Sequence, residues 1–150
     1  MNWTIHRDSV VAWKEMLDAC KNAQETIDLE QFIFVFYYIG KQFLDVCIAK
    51  AQHGVRVRLL WDAAGSFSFF GAGMIEDLKK KGVHLRFFKA LIPRNAWNHR
   101  LWFFRDHRRS LVIDGRIAFT GSASIWEETH DWTETHIKVT GPIVFSITET

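Results

Sequence analysis

Apolar positions recur at helical spacing over residues 8–24. Val10, Val11, Trp13, Met16, Leu17 and Cys20 form one stripe behind Asp8 or Ser9, either of which can cap the first turn. From Thr26 to Phe36 the pattern changes. Ile27, Leu29, Phe32 and Phe34 alternate with their neighbours, which predicts a strand. A second helix is predicted over residues 40–53, with Phe43, Leu44, Val46, Cys47, Ile48 and Ala51 as its buried stripe, and Gly54 stops it. Val55 to Trp61 then reads as a central strand. Ala63 to Gly73 reads as a loop, residues 74–81 as a helix ended by Gly82, and Val83 to Phe88 as a short strand. Helix-β-α-β-α-β over ninety residues argues a largely parallel sheet with helices on its faces.

The second part of the chain is patterned differently. Lys89 to Arg105 lacks a clean period and reads as a loop. Ser110–Ile113 and Arg116–Thr120 flank Asp114-Gly115, a strong hairpin signal. Thr133 to Thr140 is a final strand, and Gly141-Pro142 opens a helix. The chain stops barely two turns later, at Thr150, which predicts a fragment or a half that expects another half. Neither internal repeats nor low-complexity segments are apparent.

Composition narrows the function classes. With 150 residues and 48% apolar side chains, the chain is one domain with a proper core, not a disordered tail. The longest apolar run, Phe32 to Ile39, is too short to cross a bilayer as a helix, which takes roughly 20 residues. No signal peptide is visible among the charged residues of the first twenty. The expected location is therefore cytoplasmic, with peripheral membrane contact allowed. A net charge of +2 argues against a whole-molecule basic field for nucleic acid. Cys20 and Cys47 fall in helix-like stretches and are expected to be buried free thiols. No zinc or HExxH spacing is present, so neither a metal nor another cofactor is expected. Gly71-Ala72-Gly73 is too short a signal for nucleotide binding.

One stretch carries chemistry: His107-x-Arg109, then four residues and Asp114, then six residues and Gly121-Ser122. In a strand, His107 and Arg109 share a face because side chains alternate. An imidazole beside a guanidinium is a phosphate site that contains its own nucleophile. Gly121 and Ser122 would offer N–H groups and a hydroxyl to the same anion. His84-x-Arg86 and His136-x-Lys138 repeat the dipeptide spacing, but neither is followed by the acid. Asp114 can also be a plain turn former, Glu134 an exposed strand residue, and Glu30 and Asp62 structural acceptors.

The pattern resembles the phospholipase D superfamily motif H-x-K-x4-D-x6-G-S. The segments Ile27 to Phe34, Gly54 to Asp62 and Thr133 to Pro142 are similar, in order, to the N-terminal catalytic half of bacterial cardiolipin synthases. The resemblance implies an α/β fold: a mixed, largely parallel sheet with helices on both faces. It implies that His107 is nucleophile or general acid, that Arg109 binds phosphate, that Asp114 holds the motif's geometry, and that Glu134 pairs with the imidazole. Arg109 stands where the family has Lys, and Ser124 where many relatives have Asn; with Gly121 and Ser122 they make up the expected phosphate-binding set.

The implied function is phosphatidyl transfer or phosphodiester cleavage on an anionic, phosphatidylglycerol-like phospholipid, through a phosphohistidine. That chemistry uses two motifs and this chain has one, so a homodimer or a second motif-bearing half is the expected partner. Two other readings remain open: a dimeric single-motif nuclease, and a non-catalytic module that binds anionic lipid. Pro93 to Arg109 holds Arg94, Arg100, Arg105, Arg108 and Arg109 interleaved with Trp97, Leu101, Trp102, Phe103 and Phe104. That mixture suits a lipid interface, single-stranded nucleic acid, or a solvated loop.

Overall fold

A computed structural model describes residues 2–66, 73–88 and 105–148. Residues 94, 97 and 100–104 of the basic and aromatic stretch, the loop over 89–104, and Gly71-Ala72 lie outside the described residues.

Seven strands form one sheet: β1 (Asn2–Asp8), β2 (Thr26–Gln31), β3 (Arg56–Asp62), β4 (Val83–Phe88), β5 (Ser110–Ile113), β6 (Ile117–Gly121) and β7 (Thr133–Thr140). Their order is β1-β7-β6-β5-β2-β3-β4. The pairs β2–β3 and β3–β4 are parallel, as the helical crossovers between them require. The other four pairings are antiparallel, so the parallel character is confined to one end of a mixed sheet.

Helices α1 (Ser9–Asn22), α2 (Tyr38–Gln52) and α3 (Met74–Lys80) bury their apolar stripes on one face. Trp13, Met16, Phe43, Leu44 and Leu78 meet Ile27, Leu29, Val57, Leu59, Leu111 and Phe119 there. The Asp8 carboxylate accepts from Val11 N–H at 3.0 Å and starts α1. Cys20 and Cys47 are buried free thiols in this core, and burial pushes Cys47 up to about 12. The second face carries a short helix, α4 (Val144–Thr148), whose Val144 packs on Val112 and Ala118.

Three elements differ from expectation. β1 was not foreseen: its alternation is short, and its partner β7 lies some 130 residues away. The strand read as Thr26 to Phe36 stops at Gln31. Beyond it Phe34 turns inward to stack on Trp61 at 4.3 Å, and only one bridge, to Ile125, remains. His107 and Arg109 were placed in a strand, but β5 begins at Ser110.

Candidate active site

The ends of β2, β5, β6 and β7 meet at one edge of the sheet. Register brings Glu30 opposite Ser110, Ser110 opposite Thr120, and Gly121 opposite His136. The segment leading into β5 therefore crosses that edge.

His107 and Arg109 do share a side, although not through strand alternation. The His107 ring stacks on Phe32 with centroids 4.0 Å apart, and the Arg109 guanidinium carbon lies 5.8 Å from the same ring. Phe32 is thus the platform that holds both, a part no sequence pattern pointed to. Arg109 Nε donates to Ser124 Oγ at 2.9 Å. Ser124 is buried, and its carbonyl accepts from the Trp13 indole at 2.9 Å. Ser124 therefore acts by positioning Arg109 against α1. His107 and Arg109 line a cavity of about 360 Å³ with Glu30, Thr120, Gly121 and Ser146.

Asp114 is not at this edge. It occupies the hairpin turn at the far end of β5, with φ of 53° beside Gly115 at 60°. Two successive positive φ values are what a tight hairpin turn of this hand requires. Its carboxylate accepts from the N–H groups of Gln24, Glu25 and Thr26 at 2.7–2.9 Å. These three bonds outweigh its desolvation and hold its pKa below the usual carboxylate range. Asp114 fastens the α1–β2 junction to the hairpin and so fixes the register of β5.

Ser122 is also committed elsewhere. Its N–H donates to the Thr135 carbonyl at 2.9 Å, and Thr135 N–H donates to its hydroxyl at 2.9 Å. The Ser122 hydroxyl, expected to meet the anion, is held in a bridge between β6 and β7. Gly121 does face the cavity. A Cβ there would lie 2.2 Å from the Thr135 carbonyl oxygen, so only glycine fits. Glu134 is buried on β7, and its carboxylate has no hydrogen bond to His107 among the described residues.

Glu30 accepts from the Ser110 hydroxyl at 3.0 Å. Asp62 is buried and accepts from the N–H groups of Ala64 and Asp106. Both are structural acceptors, and Glu30 also lines the cavity. Among the described residues no group of three or more potential metal ligands occurs.

His136 is a further residue the sequence reading passed over. It is 1% exposed, lies opposite His6 across the β1–β7 pair, and neither of its ring nitrogens has a hydrogen-bond partner among the described residues. Burial, then His6 and Arg109, push its pKa down to about 4. The unfolded chain, titrating near 6.5, binds the proton more readily. Stability is therefore full above pH 6.5 and is lost as the pH falls toward 4, by about 3 kcal/mol at the limit. Urea unfolding between pH 7 and pH 4 is expected to show this slope in the wild type. In His136→Phe the slope is expected to flatten, and identical slopes would refute the assignment.

A family profile described as "Cardiolipin synthase, PLD-like domain" matches residues 16–144. A probable cardiolipin synthase of Bacillus subtilis, YwiE, is 29% identical over 150 residues, covering 95% of this chain and 29% of that protein. The cardiolipin synthase of Geobacillus kaustophilus is 35% identical over 131 residues, covering 83% and 26%. The chain thus spans less than a third of the length of these relatives. Among solved structures, the phospholipase D family member Nuc from Salmonella typhimurium superposes with a TM-score of 0.72 at 16% identity, covering 99% of this chain and 91% of that one. A phosphatidylserine synthase of Haemophilus influenzae gives 0.74 at 15% identity, covering 98% and 35%.

Proposed function

Because the chain belongs to the phospholipase D-like domain family of the cardiolipin synthases, we propose that it transfers or cleaves a phospholipid phosphodiester through a phosphohistidine on His107. The observation that carries this reading is the exposed His107 imidazole held beside Arg109 on one aromatic platform at the mouth of a cavity. A ring nitrogen of His107 attacks phosphorus, forming a P–N bond as the bond to the leaving alcohol breaks. Arg109, held by Ser124, neutralises the oxygens that gain charge. A second imidazole gives the leaving alkoxide its proton. It then removes the proton of the incoming alcohol or water, whose oxygen displaces His107.

This chain offers one such motif, so the second imidazole comes from another copy or from a second half. Activity is expected to co-elute with a species of at least twice 17.5 kDa, and an active monomer would contradict the pairing. Glu134 stands two residues from His136 on the strand bordering the cavity, and we assign it to orienting an imidazole once the partner is present.

Lipid is favoured over nucleic acid by the apolar flank of the site. Phe145 of α4 is 66% exposed next to cavity-lining Ser146. No helix among the described residues is long and apolar enough to cross a membrane. Lipid contact by the described residues would be made by surface side chains such as Phe145.

The test is to quench a reaction with phosphatidylglycerol labelled at its phosphate. Acid-labile, base-stable label on the wild type, absent from His107→Ala, supports the reading. Trapping and turnover only with metal-free plasmid DNA would make the protein a nuclease, in keeping with its superposition on nearly all of Nuc. Lipid binding with no trapped label would leave a binding module.

A further inference from the structure

Among the described residues the sheet face opposite α1–α3 is covered by α4 at its β6 side. Beyond β5 the same face forms a broad hollow of about 670 Å³ across β2, β3 and β4. Alternation decides what it displays. Residues 27, 29, 57, 59, 83 and 85 point into the core, so Asp28, Glu30, Arg56, Arg58, His84 and Arg86 stand on the other side.

The charges there do not balance. Arg58 is committed to Asp28, donating from Nε and from Nη2 at 2.8 Å to its two carboxylate oxygens. Arg108 is committed to Asp106 at 3.0 Å and lies 3.7 Å from Glu30. Both carboxylates of the hollow are therefore answered. Arg56, His84 and Arg86 are exposed and have no side-chain partner among the described residues. Register sets them close together. His84 pairs with Arg58, Arg86 with Leu60, and Arg56 is two residues from Arg58 on the same strand. Neighbouring strands run about 4.8 Å apart and i, i+2 side chains about 7 Å apart, so His84 stands between Arg56 and Arg86, about 7–8 Å from each, and the three cations form one row along the hollow. Like charges on adjacent strands repel, and an uncompensated cluster of them in a concavity is a site for an anion.

The hollow adjoins the reaction cavity. Glu30, Arg108 and Ser110 line both. An anion seated on the patch would thus lie along the sheet from His107, within reach of an extended molecule whose other phosphate is at Arg109.

We propose that Arg56, His84 and Arg86 form a second anion site, on the sheet face opposite α1–α3, that takes a phosphate-ester group next to the reaction cavity. The site goes beyond the reaction proposed above, because binding there needs no chemistry at His107. Arginine suits it, since a guanidinium holds phosphate oxygens in pairs, and His84 adds a donor when protonated.

The experiment is a titration followed by NMR of the Arg Nε–H and His ring signals, at low salt. The probes are inorganic phosphate and dioctanoyl phosphatidylglycerol below its micellar concentration. The signals of Arg56, His84 and Arg86 are expected to shift saturably. They should still do so in Arg109→Gln, which separates this site from the reaction site. In the double variant Arg56→Gln/Arg86→Gln, affinity at His84 is expected to fall at least tenfold, while the fold is kept because neither side chain has a structural partner. Tighter saturation by the lipid than by phosphate would assign the site to a lipid headgroup, and equal saturation would assign it to free phosphate; either supports an anion site. Shifts confined to His107 and Arg109, shifts that never saturate, or a double variant with wild-type affinity would overturn it.

Discussion

His107→Ala is expected to reduce phosphodiester turnover by at least about 10⁴-fold, because the group proposed to form the covalent bond is gone rather than misplaced. The loss should appear in kcat and kcat/KM together. Substrate binding should survive, since Arg109 keeps its own support from Ser124 and Phe32. Folding should survive as well. The His107 ring is exposed, and its ring contact among the described residues is the stack on Phe32, a contact of about 1 kcal/mol. A circular dichroism melt close to wild type, alongside absent turnover and absent trapped phosphate, is the expected combination. Turnover within tenfold of wild type would remove His107 from the chemistry. It would also leave Arg109 as an anion contact without a nucleophile.

Asp114→Ala is expected to give the opposite pattern: a damaged fold with the reacting groups intact. Three N–H groups at the entry to β2 lose their acceptor, and alanine must adopt the positive φ of a turn it does not favour. Partial access to water softens the loss. The expected cost is about 3 kcal/mol, which lowers the melting temperature by roughly 10 °C in a chain of this size. Asp114→Asn tolerates the turn and keeps one acceptor oxygen, so it should fall between the two. At a temperature where the variants remain folded, kcat should stay within tenfold of wild type. A large kcat loss in a variant of unchanged stability would place Asp114 in the chemistry after all. Acid should reveal the same contacts. The carboxylate pKa is lowered by folding, so its contribution is present above the ordinary Asp range and is lost as the pH drops through the lowered value.

His107 and Asp114 stand seven positions apart in one motif, yet they lie at opposite ends of β5. Their spacing in the sequence marks a site without saying which member touches the substrate. The stretch from Ser110 to Ile113 spans the sheet between the reacting edge and the turn. The motif therefore reports a strand of fixed length as much as a catalytic set.

Local pattern determined a good deal by itself. Periodicity placed α1, α2 and α3, the Asp8 cap, the parallel unit β2–β3–β4 and the Asp114-Gly115 hairpin, because each depends on neighbours a few residues away. The motif text located His107 and Arg109. Tertiary structure alone decided the partners of the polar groups. Ser122 is drawn to Thr135, Ser124 to Arg109 and Asp114 to the α1–β2 junction, each across a distance in sequence that no period encodes. It also decided that Phe32 leaves the strand to carry the imidazole, that β1 closes the sheet against β7, and that one hollow gathers Arg56, His84 and Arg86. The physical reason is common to all of these. Burial and alternation are properties of a segment, whereas a hydrogen bond, a ring stack or an unanswered charge is a property of what the fold brings opposite it.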